Sequence, residues 1–388
     1  MKILMICDFF EESFQYQENL LTKYYLKCGH EVVVIASTFN NIFNYLNDKY
    51  DSKIPESTIV SGNLKIIRKK YSFNFLNKLR RFGGISDLLK NECPDLIFSH
   101  DIHLNMFEAA VYKKSNPNCR FIMDYHADYS NSAKNFISLV ILHKIIRKSI
   151  FFYSKKYLDQ IYYVVPSSQK FLREVYSVKD TEMKLLPLGS DTDLINEILQ
   201  SDFRSKIRDS LNIKENEIVL FTGGKINSQK KTHLLIEAFQ KIKRNDIHLI
   251  VLGTSSESDN SYFESLYNFK SNRIHFTGWV DGNDVYKFMF ASDLAIFPAS
   301  QSVLWQQSIS MNLPLIVGDI GEQSIDYLNA YNNIIIIEKD EITSATLLGK
   351  INYILSNEKV FIDMKIGAKK VSEQYLNYYK IVSTTLTK

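Results

Sequence analysis

DLAIFPASQSVLWQQSISMNLPLIVG, residues 293–318, is the stretch on which the fold turns. Leu294 to Phe297 is a short apolar run of the kind found in buried parallel strands. Pro298 interrupts it, since proline lacks the N–H that a ladder needs. Ala299 to Ser302 is small and polar, a helix is predicted from about Val303 to Met311, and a second strand opens after Pro314. A strand, a hydroxyl-bearing turn and a helix N-terminus together suit an anion. The first helical N–H groups have no partner, and the helix dipole favours negative charge there. The same pattern also fits an ordinary βαβ connection that binds nothing, and the stretch alone leaves both readings open.

The pattern extends outward in both directions. Upstream lie strand 217–222, helix 231–243, strands 247–252 and 273–277, and helix 284–291; downstream lie strand 333–338 and helix 357–375. The front half alternates in the same way. Strand 2–8 leads to a helix from about Gln17 to Cys28, with Gly29 placed as a C-terminal cap, and then to strand 31–37. Further strand candidates are 64–68, 95–99, 120–125 and 161–165. Such alternation predicts an α/β fold with doubly wound parallel sheets. The segment 185–194, LLPLGSDTDL, reads as a crossover, which predicts domains at 1–185 and 186–374. Loops at strand C-terminal ends converge where two such halves meet, a natural place for a ligand.

Length agrees with two domains, because 388 residues exceed one ordinary core. At 45% hydrophobic and 23% charged residues, the composition is globular and excludes a disordered or fibrous chain. The four cysteines, Cys7, Cys28, Cys93 and Cys119, are scattered. They read as buried thiols in a reducing compartment, not as a zinc site or disulfide frame. The apolar run at the N-terminus is too short for a signal peptide, and no stretch approaches the ~18 apolar residues of a membrane span. A cytoplasmic protein is expected. Its net charge of +4 is uneven: residues 1–185 carry 26 Lys and Arg against 19 Asp and Glu, net +7, and the remainder carries 21 against 24, net −3. A basic front half points to an anionic partner.

Two motifs in the back half carry chemistry. In FTGGKINSQKKTHLLIEAF (221–239) a strand ends at Gly223-Gly224, followed by Lys225, a polar turn and Lys230-Lys231. Glycine lets a backbone approach a ligand closely, and two cations around a turn can clamp a diphosphate. The P-loop signature is absent, and a surface turn with solvated lysines is the plain alternative. In HFTGWVDGNDVYKFMFASDLAIFPAS (275–300) a strand ends at Gly278, which sets Trp279 and Val280 at the sheet edge, where they face either a planar base or the core.

The ordered series Gly223-Gly224, Lys225, Lys230, Leu252-Gly253, Gly278-x-Val280, Ala291-Ser292-Asp293, Phe297-Pro298 and Leu313-Pro314 resembles the second domain of GT-B glycosyltransferases of family 4. Leu186-Pro187-Leu188-Gly189-Ser190-Asp191 and Gly29-His30-Glu31-Val32 resemble the same family at its interdomain entry and its second strand. The resemblance covers essentially the whole chain. It implies two Rossmann-like domains facing across a cleft. The N-terminal one binds acceptor, and a C-terminal tail, 375–388, packs back on it. It also implies retaining transfer of a sugar from a nucleotide diphosphate, with no metal and no cofactor beyond the nucleotide-sugar. Lys225 and Lys230 match the basic pair on the donor pyrophosphate, Gly224 the close-approach glycine, and Val280 the position that meets the base; Gly253 is placed on the donor side with them. The second of the family's two glutamates falls on Gln307, whose amide still pairs with ribose hydroxyls. The first has no match, and Ser300-Gln301-Ser302 stands in its place, so Ser300 and Ser302 are assigned to the donor hexose or β-phosphate. The usual first-loop glycines are missing too, which leaves Gln17 and Asn19 as substrate contacts.

SHDIHLN (99–105) and MDYHADYSNS (123–132) gather His100, Asp101, His103, Asp124, His126 and Asp128 at strand ends. Three readings apply: a metal site, hydrogen-bonded structural residues, or the transferase site. In the last, His126 resembles the family's histidine at the donor hexose, with Asp128 as its catalytic companion and His100 and Asn131 on the acceptor side. Basic, apolar-rich stretches at 65–81 and 134–157 suit an anionic leaflet, which predicts peripheral contact with the inner face of the cell membrane. No motif supports nucleic-acid binding. The expected function is a sugar transfer to a glycan or lipid-linked acceptor in cell-surface polysaccharide biosynthesis. The rivals are a metal-assisted hydrolase or phosphotransferase using His100, Asp101, His126 and Asp128, and a non-catalytic GT-B-shaped binding protein.

Overall fold

The computed structural model describes residues 1–41, 45, 54–129, 131–133, 135–136, 138–299, 302–321 and 325–387. The chain divides into two compact units, Met1–Pro187 with Ile381–Lys388, and Leu188–Lys380. Among the described residues no helix is long and apolar enough to cross a membrane.

The first unit is built on β1 (Lys2–Ile6), β2 (Glu31–Ser37), β3 (Ser57–Ser61), β4 (Leu64–Lys69), β5 (Tyr71–Phe75), β6 (Leu79–Phe82), β7 (Leu96–His100), β8 (Arg120–Asp124), β9 (Gln160–Tyr163) and β10 (Met183–Leu185). Eight of these form one sheet in the order β10-β9-β8-β7-β1-β2-β4-β3, while β5 and β6 pair separately. Every pairing in the large sheet is parallel except β3 with β4. Strands β1 and β2 are almost wholly buried, as apolar β-branched runs between helix layers should be. The helix Gln17–Lys27 ends at Gly29, whose φ of 80° is the left-handed conformation that glycine adopts without strain. Ser138–Arg147, wound as a π-helix, runs on into the helix Lys148–Lys155.

The C-terminal segment is fixed to this unit by side chains. Arg120 donates to the carbonyls of Thr385, Leu386 and Thr387 at 3.0, 2.8 and 2.8 Å. The Tyr25 hydroxyl lies 2.6 Å from Thr385 Oγ1, and Tyr162 donates to the Thr384 carbonyl. The guanidinium satisfies carbonyls at a helix end that have no partner within the helix.

The second unit carries β11 (Ile218–Gly223), β12 (Ile247–Leu252), β13 (Ile274–Gly278), β14 (Leu294–Phe297), β15 (Leu315–Asp319) and β16 (Ile334–Glu338). They form a parallel sheet in the order β13-β12-β11-β14-β15-β16. Alternate residues feed two cores: Val219, Phe221, Ala295 and Phe297 pack on one face, Leu220, Leu294 and Ile296 on the other. The expected α/β class with doubly wound parallel sheets is therefore what forms. Each sheet reverses its winding once, between β1 and β7 in the first unit and between β11 and β14 in the second. Ligands in such folds bind at the carboxyl ends of the strands flanking this reversal.

Some local expectations differ. The predicted helix 357–375 is Glu358–Val371 with a π-type extension to Leu376, and further helices occupy Ser344–Ser356 and Tyr378–Leu386. Cys28 and Cys93 are exposed, and only Cys7 and Cys119 are the buried thiols expected of all four.

Candidate functional site

In the second unit glycines follow the adjacent strands β11 and β12, on one side of the winding reversal. Gly224 and Gly253 have φ of 112° and 113°, outside the range that other residues adopt freely. Gly224 N donates to the Leu252 carbonyl and Gly253 N to the Gly278 carbonyl, at 2.9 and 2.8 Å. A Cβ on Gly253 would lie 2.1 Å from the Gly224 carbonyl oxygen, so only glycine fits there. A Cβ on Gly224 would meet Ser302 Oγ at 3.7 Å, so Ser302 and Gly253 both lie beside Gly224. Ser302 Oγ accepts from Leu304 N at the start of the short helix Leu304–Ser310.

The basic pair follows directly. Lys225 is exposed, and Lys230 is half-buried at the end of the single turn Ser228–Lys230. Asn227 Oδ1 accepts from Lys230 N, and Ile226 N is held by the Thr254 carbonyl. Burial pulls the Lys230 ammonium down to about 8. A partly desolvated cation gains when an anion arrives beside it. Val280 is half-buried on the core, while Trp279 stands 73% exposed. Gln307 lies one turn into the helix, against the buried Tyr286 hydroxyl. Ser300 and Gln301 lie outside the described residues.

In the first unit, parallel pairing of β7 and β8 sets His100 beside Asp124. Asp124 is fully buried. Its Oδ2 lies 3.2 Å from His100 Nδ1 and 3.1 Å from His126 Nε2. Asp101, in the left-handed region at φ 64°, accepts from His126 N at 2.8 Å and so fixes the start of that loop. Burial opposes charge on His100, but Asp124 and Glu18 outweigh it and raise the imidazole to about 10. Burial lowers His103 to about 4, and its Nε2 lies 2.9 Å from Ser99 Oγ. Asp8, Arg80, His100, Asp101, His103 and Arg147 help line a cavity of about 60 Å³. Ligand atoms of His100, Asp124 and His126 lie within 4.8 Å of one another, and the three are joined by hydrogen bonds.

Asp128 and Asn131 bind each other. Asp128 Oδ1 accepts from Asn131 N, Asn131 Oδ1 from Asp128 N, and Asp128 Oδ2 from Ser167 Oγ. Asn131 also donates to the His126 carbonyl at 3.3 Å, so this pair shapes the loop that carries His126. Gln17 is buried, and Asn19 donates to the Glu11 carbonyl at 2.6 Å. Between them Glu18 reaches His100 Nε2 at 3.7 Å.

The basic stretches are less available than their composition implies. Residues 65–81 form β4, β5 and β6. Lys65 pairs with Glu92, Arg80 with Asp8 and Arg81 with Glu108, while Arg68 is buried against the carbonyls of Phe10 and Ser37. His143 is fully buried between Ser132 and Tyr176 and lowered to about 4 by burial. Some of the apolar residues are exposed: Phe75, Leu76, Ile141, Ile145 and Phe152 face solvent, while Leu142 and Phe151 are buried. A groove of about 330 Å³ runs between Phe75, Leu76 and Leu79 on one side and Ile141, Leu142 and Ile146 on the other.

Two family models match the chain, Glycosyltransferase Family 4 over residues 20–194 and Glycosyl transferases group 1 over residues 203–371. An uncharacterized glycosyltransferase of Methanocaldococcus jannaschii is 22% identical over 234 residues, 56% of this chain and 60% of that protein, which is under two thirds of its length. HepE of Anabaena, solved in complex with UDP, superposes with a TM-score of 0.68 at 15% identity, covering 100% of this chain and 98% of that one. WaaG, a glycosyltransferase involved in lipopolysaccharide biosynthesis, superposes at 0.62 and 13% identity over 99% and 98% of the two chains. The two models lie in succession along the chain, one on each sheet, and the chain is a GT-B glycosyltransferase resembling family 4.

Proposed function

We propose that the protein is a retaining glycosyltransferase that moves a sugar from a nucleotide diphosphate to a glycan or lipid-linked acceptor of the cell surface. The observation that carries this reading is the glycine-lined edge at Gly224 and Gly253, with Ser302 facing it and Lys230 in the next turn. Backbone and hydroxyl donors there suit the diphosphate, and Lys225 with Lys230 offset its charge. Val280 is assigned to the base and Gln307 to the ribose. HepE is known in complex with UDP-glucose, which favours a uridine nucleotide here.

In the proposed step the bond between the sugar C1 and the β-phosphate oxygen breaks. The acceptor oxygen bonds C1 on the same face, and its proton passes to the leaving phosphate. The lysines stabilise the charge that develops on that phosphate, and His126 orients a sugar hydroxyl, so catalysis is positioning and electrostatics. Asp128 and Asn131 hold the His126 loop, and Gln17, Asn19 and His100 face the acceptor. Exposed Phe75, Leu76, Ile141 and Phe152, near Lys78 and Lys144, suit peripheral contact with an anionic leaflet at the inner membrane face of the cytoplasm.

The test is turnover. Nucleoside diphosphate release from a panel of nucleotide-sugars, with envelope lipid extract in vesicles as acceptor and EDTA present, is expected to rise above the rate in water. The product should keep the donor's anomeric configuration. An inverted product, or no release with any donor, overturns the reading.

A further inference from the structure

The proposed role of His126 depends on which ring nitrogen carries its hydrogen, and the surroundings decide this. Asp124 closes β8 and is fully buried. A buried carboxylate is unfavourable unless its oxygens are hydrogen-bonded. Here His100 Nδ1 and His126 Nε2 approach the same oxygen, at 3.2 and 3.1 Å, and His100 Nδ1 also lies 3.1 Å from Oδ1. An ionised carboxylate only accepts, so both nitrogens facing it carry hydrogens. In neutral His126 the other ring nitrogen, Nδ1, is then the acceptor. Two further bonds fix the loop: Asp101 Oδ1 takes the backbone N–H of His126, and Asn131 Nδ2 donates to its carbonyl. The two rings stand 4.4 Å apart between centroids, with Glu18 beyond His100.

We infer that Asp124 is a positioning residue: it holds His126 as the Nε2–H tautomer, so that Nδ1 accepts a hydrogen bond from a hydroxyl of the sugar being transferred. The inference rests on the transferase reading proposed above. Asp124 itself touches no substrate; it acts through His126. His100 Nδ1 shares the oxygen that faces His126, so the carboxylate cannot turn away from the His126 ring without also loosening its contact with His100.

The test is tautomer-resolved nitrogen NMR on protein labelled at histidine, with Asp124→Asn beside the wild type. An asparagine keeps the shape but removes the charge and replaces one accepting oxygen with a donating amide, so the hold on the His126 Nε2–H weakens. The wild type is expected to show His126 as Nε2–H, and Asp124→Asn to shift it toward Nδ1–H. Transfer kcat should fall about tenfold or more, with nucleoside diphosphate Kd changed less than about twofold. Should Asp124→Asn fail to fold, the wild-type tautomer together with His100→Gln, which leaves the Asp124–His126 contact in place, decides the matter. Nδ1–H in the wild type, or an unchanged His126 signal and kcat in a folded Asp124→Asn, overturns the inference. The NMR readout needs no donor. A wrong tautomer in an enzyme that transfers sugar sinks this inference alone, and absence of transfer with the right tautomer sinks the proposed function alone.

Discussion

Arg208 Nη2 lies 2.8 Å from Asp293 Oδ2, with the Arg208 side chain 1% exposed. The same carboxylate oxygen accepts from Val219 N, and Arg204 Nη2 takes the other at 2.9 Å. Arg208 also donates to the carbonyls of Ala291, Lys214, Glu215 and Glu217. One guanidinium thus ties the helix Phe203–Ser210 to β11 and β14, the strands on either side of the winding reversal. Removing one partner of a buried pair strands the other. Arg208→Ala is expected to destabilise the protein by about 3–5 kcal/mol in denaturant unfolding. Arg208→Lys should recover little of it, because an ammonium lacks the planar fork. A loss below about 1 kcal/mol would show the pair is only a surface-like contact.

The glycine edge makes a sharper forecast. At Gly253 an added methyl meets the Gly224 carbonyl at 2.1 Å in a backbone already at φ 113°. Gly253→Ala should cost about 1–3 kcal/mol of stability and weaken nucleoside diphosphate binding, since Gly224 has to move. Gly321, with φ 84° and nothing within 4 Å of an added Cβ, is the control. Gly321→Ala should leave binding unchanged. Equal effects at both positions would mean that strain, and not the close approach, governs the edge.

His100 gives the protein a pH signature. Burial works against its charge, but Asp124 and Glu18 raise the folded imidazole to about 10, above an unfolded value of about 6.5. A raised value means that the folded state holds the proton more tightly. The resulting stabilisation is complete below about pH 6.5 and is lost as pH climbs toward 10. The unfolding free energy of wild type minus that of His100→Gln should therefore shrink steadily between pH 6.5 and 10. A difference that stays constant over this window would contradict the ion pair.

Lys230 is the converse case. Burial holds its ammonium at about 8 in the free protein. Lys230→Ala should weaken nucleoside diphosphate binding by about 1.5–3 kcal/mol at pH 7, the worth of a charged hydrogen bond. Wild-type affinity should fall as pH rises past about 8, whereas the Lys230→Ala profile stays flat through that range. Parallel profiles, measured by calorimetric titration, would remove Lys230 from the diphosphate.

Much of this fold was legible because its strands announce themselves. Glu31–Ser37 reads as a strand from its apolar, β-branched run and forms one over those residues. Gly29 marks the end of its helix in the sequence as it does in space. Strand β3 was missed, since most of its residues face solvent at a sheet edge and carry no buried pattern. In the candidate site, the glycine turns and the lysines were visible as local spacing. Asp124 was visible only as one of six clustered polar residues. Its tie to His100 depends on the register of β7 against β8, which no local pattern encodes. The partners of the basic stretch 65–81 were hidden for the same reason: Asp8, Glu92 and Glu108, which pair with Arg80, Lys65 and Arg81, come from distant segments. His143 looked like part of a charged face but turns inward to Ser132 and Tyr176.

The measurement that reaches furthest is a thermal-shift panel of nucleoside diphosphates, run in EDTA and again with divalent cations, on wild type and Lys230→Ala. One or more nucleoside diphosphates should raise the melting temperature of the wild type in EDTA, and the rise should be largely lost in Lys230→Ala. Stabilisation by divalent cations alone, with no response to any nucleotide, would contradict a nucleotide-sugar transferase.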